Sequence, residues 1–170
     1  MKSLVLILLV IFSFTSCTSK HEPLNTVKNV ELNKYLGTWY EIARYEHRFE
    51  KDCKNVTATY NLKKENEIEV INQCTNINTN EKKKATGVAF AKDETFSKLR
   101  VSFFRPFYGD YWILILDENY KYAVVGAPSR EYLWILAREK TISDEIKKSI
   151  LEKLPTLGFP TNKLIWTIQE

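Results

Sequence analysis

From Asn55 onward the chain alternates in twos, and that period limits what it can become. Val56, Ala58, Tyr60 and Leu62 fall on one face and Thr57, Thr59 and Asn61 on the other, the pattern of a strand half buried and half wet. A polar turn at 63–67 leads into Ile68, Val70 and Asn72 on every second position, which makes a hairpin. Residues 85–91 and 98–104 add two strands, the second with Leu99, Val101 and Phe103 alternating with Lys98, Arg100 and Ser102; 110–116, 120–126 and 131–138 complete the series. Counting 35–44, where Gly37 turns the chain into Thr38-Trp39-Tyr40-Glu41-Ile42, the pattern predicts about eight strands joined by short polar turns without helical crossovers. An open meander would expose unpaired edges. The expected fold is therefore all-β, an eight-stranded antiparallel up-and-down barrel closed on itself.

Two strands are apolar on both sides, Trp112-Ile113-Leu114-Ile115-Leu116 and Leu133-Trp134-Ile135-Leu136, so something dry must cover the outside of the sheet. The next segment supplies it. Thr141, Ser143, Asp144 and Glu145 suit a helix start, and Ile146, Ile150 and Leu154 follow at helical spacing until Pro155. One C-terminal amphipathic helix is expected outside the barrel, followed by a short strand at 164–168.

An eight-stranded barrel leaves a cavity if its inward residues are not all large. The inward set read from the alternation is Ala43, Ala58, Tyr60, Val70, Ala89, Val101, Phe103, Trp112, Leu114, Val125, Trp134 and Leu136. It holds almost no ionisable group, so the expected occupant is mostly hydrocarbon. Tyr60, Tyr111 and Tyr122 are candidate polar handles near a mouth. Gly37 and Trp39 open the first strand and Arg138 ends the last; an arginine over the indole would close one end, worth about 0.5 to 2 kcal/mol. Catalysis needs a nucleophile, a base or paired carboxylates converging in the cavity, and this inward set offers none; Glu41 and Asp110 could approach the pocket ends but read first as solvated or salt-bridged carboxylates, so no catalytic residue, cofactor or metal is assigned. With a formal charge of only +4 and Glu81-Lys82-Lys83-Lys84 as the lone basic cluster, nucleic acid is not an expected partner.

The N-terminus addresses export. Lys2 precedes an apolar run from Leu4 to Phe14, too short to span a membrane, where about 20 residues are needed. Phe14-Thr15-Ser16-Cys17 resembles the lipobox of bacterial lipoproteins, in which the cysteine is acylated and becomes the first mature residue. That resemblance implies a signal peptide at 1–16, an anchor at Cys17 with a tether over 17–33, and a globular domain at 34–170. With no aspartate after Cys17, it also implies the outer membrane, facing the periplasm. Cys53 and Cys74 then form an even pair flanking the first hairpin, near enough in register for a disulfide, with two free thiols or a metal pair as the competing reading.

Gly37-Thr38-Trp39 with Tyr40, the Asp117-Glu118-Asn119-Tyr120 turn and Arg138 resemble the three signature regions of the lipocalins. His47-Arg48-Phe49-Glu50, Pro106-Phe107-Tyr108-Gly109 and Thr141-Ile142-Ser143-Asp144-Glu145 resemble segments of their bacterial lipoprotein branch. The resemblance runs from about Val30 to the C-terminus. It implies a calyx that binds, stores or transports fatty acids or (lyso)phospholipids, with the loops near His47 and Pro106 at its mouth. The competing class is a lipocalin-fold enzyme acting on a lipid-like substrate. Phe104, Phe107 and Tyr108 suit a membrane, a second subunit in a homodimer or the tail of a ligand equally well.

Overall fold

The computed structural model describes residues 21–170; the expected signal peptide at 1–16 and the expected anchor at Cys17 lie outside the described residues. Eight strands run antiparallel in sequence order: β1 (Gly37–Tyr45), β2 (Cys53–Lys64), β3 (Glu67–Asn76), β4 (Lys82–Ala91), β5 (Lys98–Phe104), β6 (Phe107–Leu116), β7 (Tyr122–Gly126) and β8 (Leu133–Ala137). Each pairs with the next, β8 returns to β1, and β1 pairs with β2 over Gly37 to Tyr40, so the sheet closes into a barrel. The short strand β9 (Leu164–Trp166) adds to the outer half of β1, where β1 and β2 have parted.

Closure separates two cores. Inside lie Trp39, Tyr60, Ile68, Val70, Ala89, Leu99, Ile113, Ala123, Val125 and Leu136. Outside, Ala43, Leu114, Val124, Leu133, Ile135 and Ala137 are covered by Ile150, Leu154 and Phe159. The covering element is helix α2 (Asp144–Lys153), whose N-terminus is capped by the Ser143 hydroxyl accepting from the Ile146 amide, with Asp144 and Glu145 complementing the helix dipole. Pro155 ends it. This explains why β6 and β8 are apolar on both faces.

The inner core is uneven. At the end where β1 begins, the short helix α1 (Leu32–Tyr35) and large side chains fill the lumen: Trp39, Ala89, Ile113, Val125 and Ala123 have no accessible surface at all. Ala58, Val101 and Trp134 of the same inner wall are only partly buried, although each pairs across the sheet with a fully buried residue, Trp39, Ala89 and Val125 respectively. The floor of the barrel is filled, and its inner wall is not packed uniformly.

The expected polar tether is corrected over its later half. Residues 22–33 are held against the barrel rather than free, first along its outside at Leu24 and then, from Val27 through Val30 to Leu32, across its closed end with the inner core. The Glu22 carbonyl accepts from Arg130 Nη2 (2.8 Å), Leu24 is buried in the outer core, and the Val27 and Val30 amides donate to the Ile113 and Thr95 carbonyls. Val30 and Leu32, which the sequence suggests as a short turn packing across the end of the sheet, do so, whereas isolated apolar residues at 24 and 27 carry no strand or helix period and their burial was not legible from alternation.

Candidate functional site

The closed end is built on Trp39. Its indole Nε1 donates to the Tyr35 carbonyl (2.8 Å), and the Arg138 guanidinium covers its ring at 3.9 Å from the centroid. Arg138 Nη1 donates to the Thr38 carbonyl (2.8 Å), and Nη2 lies 2.7 to 3.2 Å from the carbonyls of Lys34, Tyr35 and Leu36. One cation thus satisfies the carbonyls left over at the C-terminus of α1 and ties them to β1. Gly37 has φ +90°, and a Cβ there would stand 3.5 Å from Arg138 Nη1, so position 37 needs glycine on backbone grounds first. Just above, the Tyr111 hydroxyl shares hydrogen bonds with those of Tyr35 (2.8 Å) and Tyr60 (2.7 Å). Burial pushes all three phenols up, so they remain neutral and act as a hydrogen-bonded floor. Tyr60 and Tyr111 are therefore floor groups, not mouth groups, and Tyr122 packs in the outer core.

Two members of the expected lining face the other way. Tyr111 and Ile113 are the inward residues of β6, which puts Trp112 and Leu114 outside. The Trp112 indole sits between Lys98 and Lys92, whose Nζ atoms lie 4.8 and 5.8 Å from its centroid, and Leu114 packs in the outer core with Phe159. An apolar run offers no polar residue to mark which alternate positions are inside. Of the other expected lining residues, Tyr60, Val70, Ala89, Val125 and Leu136 are fully buried in the packed part of the lumen. Ala58, Val101 and Trp134 lie on the same wall and are only partly buried. Phe103 stands at the rim, 44% exposed, its ring passing where a Cβ on Gly87 would come within 2.8 Å.

Ala43 is also on the outer face, because β1 carries an irregularity between Glu41 and Ala43. Alternation from Trp39 already puts Glu41 inside, and the shift turns Arg44 inward as well. Glu41 pairs across with Leu136, and Arg44 with Trp134, both of which face the lumen. The expectation of a lining almost free of ionisable groups is thereby overturned. Arg44 Nη1 donates to Glu41 Oε1 (2.9 Å) and Nη2 to the Glu50 carbonyl (2.8 Å), while Arg44 Nε and His47 Nε2 lie 3.5 and 3.3 Å from Glu50 Oε2. The Thr167 hydroxyl donates to the same Glu41 oxygen, and Gln169 Nε2 donates to the Glu41 and Val56 carbonyls, so the C-terminal segment plugs the seam between β1 and β2. The His47 ring packs edge-on to Trp134 (5.3 Å between centroids), and Tyr132 stacks on Trp134 from above (6.0 Å).

Two carboxyls in one dry place do not both ionise. Burial, and next the facing Glu50 carboxylate, push the Glu41 carboxyl up to about 8. Burial also acts to raise Glu50, but its contacts with His47 and with the Glu41 carboxyl outweigh it and hold Glu50 below the usual range. At neutral pH Glu41 keeps the proton and Glu50 carries the charge that balances Arg44. Alternation from Trp39 marks Glu41 as inward but not Arg44, His47 or Glu50, whose convergence on it depends on the irregularity in β1 and on the turn that follows.

Near the mouth Cys53 and Cys74 are joined by a disulfide across β2 and β3. On the outer side of the mouth a cleft of about 880 Å³ is lined by Tyr45, His47, Phe49, Tyr132, Lys163 and Ile165 among others, separate from the inner wall.

Residues 30–169 match the family model described as a lipocalin-like domain. The chain is 46% identical over 161 residues to the outer membrane lipoprotein Blc of Citrobacter freundii, covering 93% of this chain and 91% of that protein. It is 41% identical over 172 residues to the Blc of Vibrio cholerae, covering all of both. Among solved structures, insecticyanin from the tobacco hornworm Manduca sexta superposes with a TM-score of 0.69 at 20% identity, covering 86% of this chain and 84% of that one.

Proposed function

Because this chain belongs to the lipocalin family, we propose that it is a lipid carrier, holding the acyl chain of a fatty acid or lysophospholipid in the lumen of the barrel and releasing it unchanged. The observation that carries this reading is the uneven packing of an apolar lumen: a floor closed by Trp39 and three tyrosines, beside inner-wall residues Ala58, Val101 and Trp134 that are only partly buried. A hydrocarbon chain there gains about 25 cal/mol per Å² buried. A filled floor limits how far the tail descends, so the polar head is left at the mouth, near His47 and the loops around it. The same reading places the protein in the outer membrane, facing the periplasm, through acylated Cys17, as the name outer membrane lipoprotein states for its relatives.

The test is displacement of a fluorescent fatty acid from the purified protein. Binding without hydrolysis of lysophospholipid is expected, and Trp134→Arg, which puts a charge beside Arg44 on the inner wall, should weaken it at least tenfold. Normal affinity in that variant, or no binding by the parent, refutes the assignment; hydrolysis points to an enzyme instead. Uptake of labelled fatty acid by the full chain but not by Cys17→Ala tests the anchor.

A further inference from the structure

The path of the N-terminal segment fixes which end of the barrel is near the anchor. Glu22 is tied to Arg130 in the β7–β8 turn, at the mouth, and the chain then descends past Ile113 to reach Thr95 and Tyr120 at the closed end. Four residues separate Glu22 from Cys17, five Cα-to-Cα steps with a reach of at most about 18 Å. The barrel is taller: the nine residues of β1, tilted about 40° to the axis, rise about 20 Å along it, and the mouth turns and α1 add to that. An anchor at Cys17 therefore reaches a membrane beside the mouth and not one beside α1.

The mouth is also where the exposed large apolar side chains gather. Phe49 in the β1–β2 turn, Ile77 in the β3–β4 turn, and Phe104 and Phe107 at the β5–β6 turn are 69, 44, 75 and 71% exposed. The last two stack on each other at 6.3 Å. Arg48 covers the Phe49 ring at 4.9 Å, and Arg105 follows Phe104 in the same β5–β6 turn; no ion pair is formed by either among the described residues. Glu46 and Asp52 lie at the same end, so net charge is not what distinguishes this surface. Its character is apolar side chains with long cations able to reach upward, the composition that rests in a lipid headgroup layer.

We infer that the mouth docks face-down on the phospholipid bilayer that holds the chain's own anchor, with Phe49, Phe104 and Phe107 among the acyl chains and Arg48 and Arg105 at the phosphates. The inference rests on the carrier reading and on acylation of Cys17, and it adds a route: an acyl tail passes between bilayer and calyx without crossing water. The cup cannot invert on so short a leash.

With Cys53 and Cys74 bonded and Cys17 acylated, a single introduced cysteine is the free thiol, which makes depth measurable. The full-length Phe107→Cys and Leu62→Cys proteins, each labelled with nitrobenzoxadiazole, are placed in phosphatidylethanolamine–phosphatidylglycerol vesicles carrying a nitroxide-labelled lipid. Position 107 should lose at least half of its fluorescence and position 62, at the closed end, less than a tenth. Quenching at 62 with none at 107 overturns the orientation; quenching at neither means that the barrel stands off the surface or pairs its mouth with a second copy, and overturns it too. Fatty-acid displacement measured on the same proteins in detergent is independent of orientation. Docking without displacement would sink the carrier reading alone, and displacement without docking would sink this one alone.

Discussion

Glu41→Gln tests the buried pair most sharply, because the structure makes an unusual demand of it. Arg44 Nη1 and the Thr167 hydroxyl both donate to Glu41 Oε1. The proton therefore resides on Oε2, and a glutamine amide reproduces that arrangement with carbonyl oxygen and NH2 in the same places. In the parent protein, a carboxyl raised from 4.5 to about 8 means that the folded state binds a proton that the unfolded chain has released throughout that interval. Stability from this group is fully present below about 4.5 and is lost as pH rises toward 8. At about 1.4 kcal/mol per pH unit, going from pH 5.5 to pH 7.5 should cost roughly 2 to 3 kcal/mol, within a ceiling of about 5 for the whole interval. Glu50, held low, has the opposite sign: its contribution is present above the ordinary range and lost as pH falls through its lowered value, outside this window. With a urea m-value of about 2 kcal/mol/M, the midpoint should drop by about 1 M between the two pH values. Glu41→Gln should match the parent at pH 5.5 and lose most of that drop. A flat parent profile, or a Glu41→Gln protein that keeps the slope or loses more than 2 kcal/mol at pH 5.5, refutes the shared proton.

Arg138→Met keeps the apolar stem over Trp39 but abandons the carbonyls of Lys34, Tyr35, Leu36 and Thr38. It should lower stability by about 2 to 4 kcal/mol in urea unfolding, and a loss under 0.5 would show that water replaces the guanidinium at no cost. Arg138→Lys, a point charge in place of a fork, should recover less than half. Opening the Cys53–Cys74 loop, 21 residues in sequence separation, by the paired Cys→Ser variant should cost about 3 kcal/mol on the chain-entropy account, read as a lower thermal midpoint without change in the far-ultraviolet spectrum. Gly87→Ala puts a methyl 2.6 Å from the Ser102 carbonyl and 2.8 Å from the Phe103 ring; it should cost about 1 to 3 kcal/mol, and an unchanged midpoint would mean that the rim yields freely.

The sequence alone determined the barrel, the outer helix and the sealed end. Those follow from short-range rules: period-two burial in Val56 to Leu62, a hydroxyl and two acids before Ile146, and a glycine that turns into Trp39. It also placed Cys53 and Cys74 on neighbouring strands. Which side of an all-apolar strand faces inward was decided only by the tertiary structure, since in Trp112 to Leu116 every residue satisfies burial and only the neighbours say which core each one enters. The charged cluster is the deeper case. A single irregularity between Glu41 and Ala43 reverses the facing of everything after it in β1, carrying Ala43 out and Arg44 in, and the groups that make Arg44 tolerable there arrive from Glu50 and from Thr167, more than a hundred residues away. Local propensity reads one strand at a time. A buried charge is affordable only when distant parts of the chain converge on it, and that convergence exists nowhere but in the folded barrel.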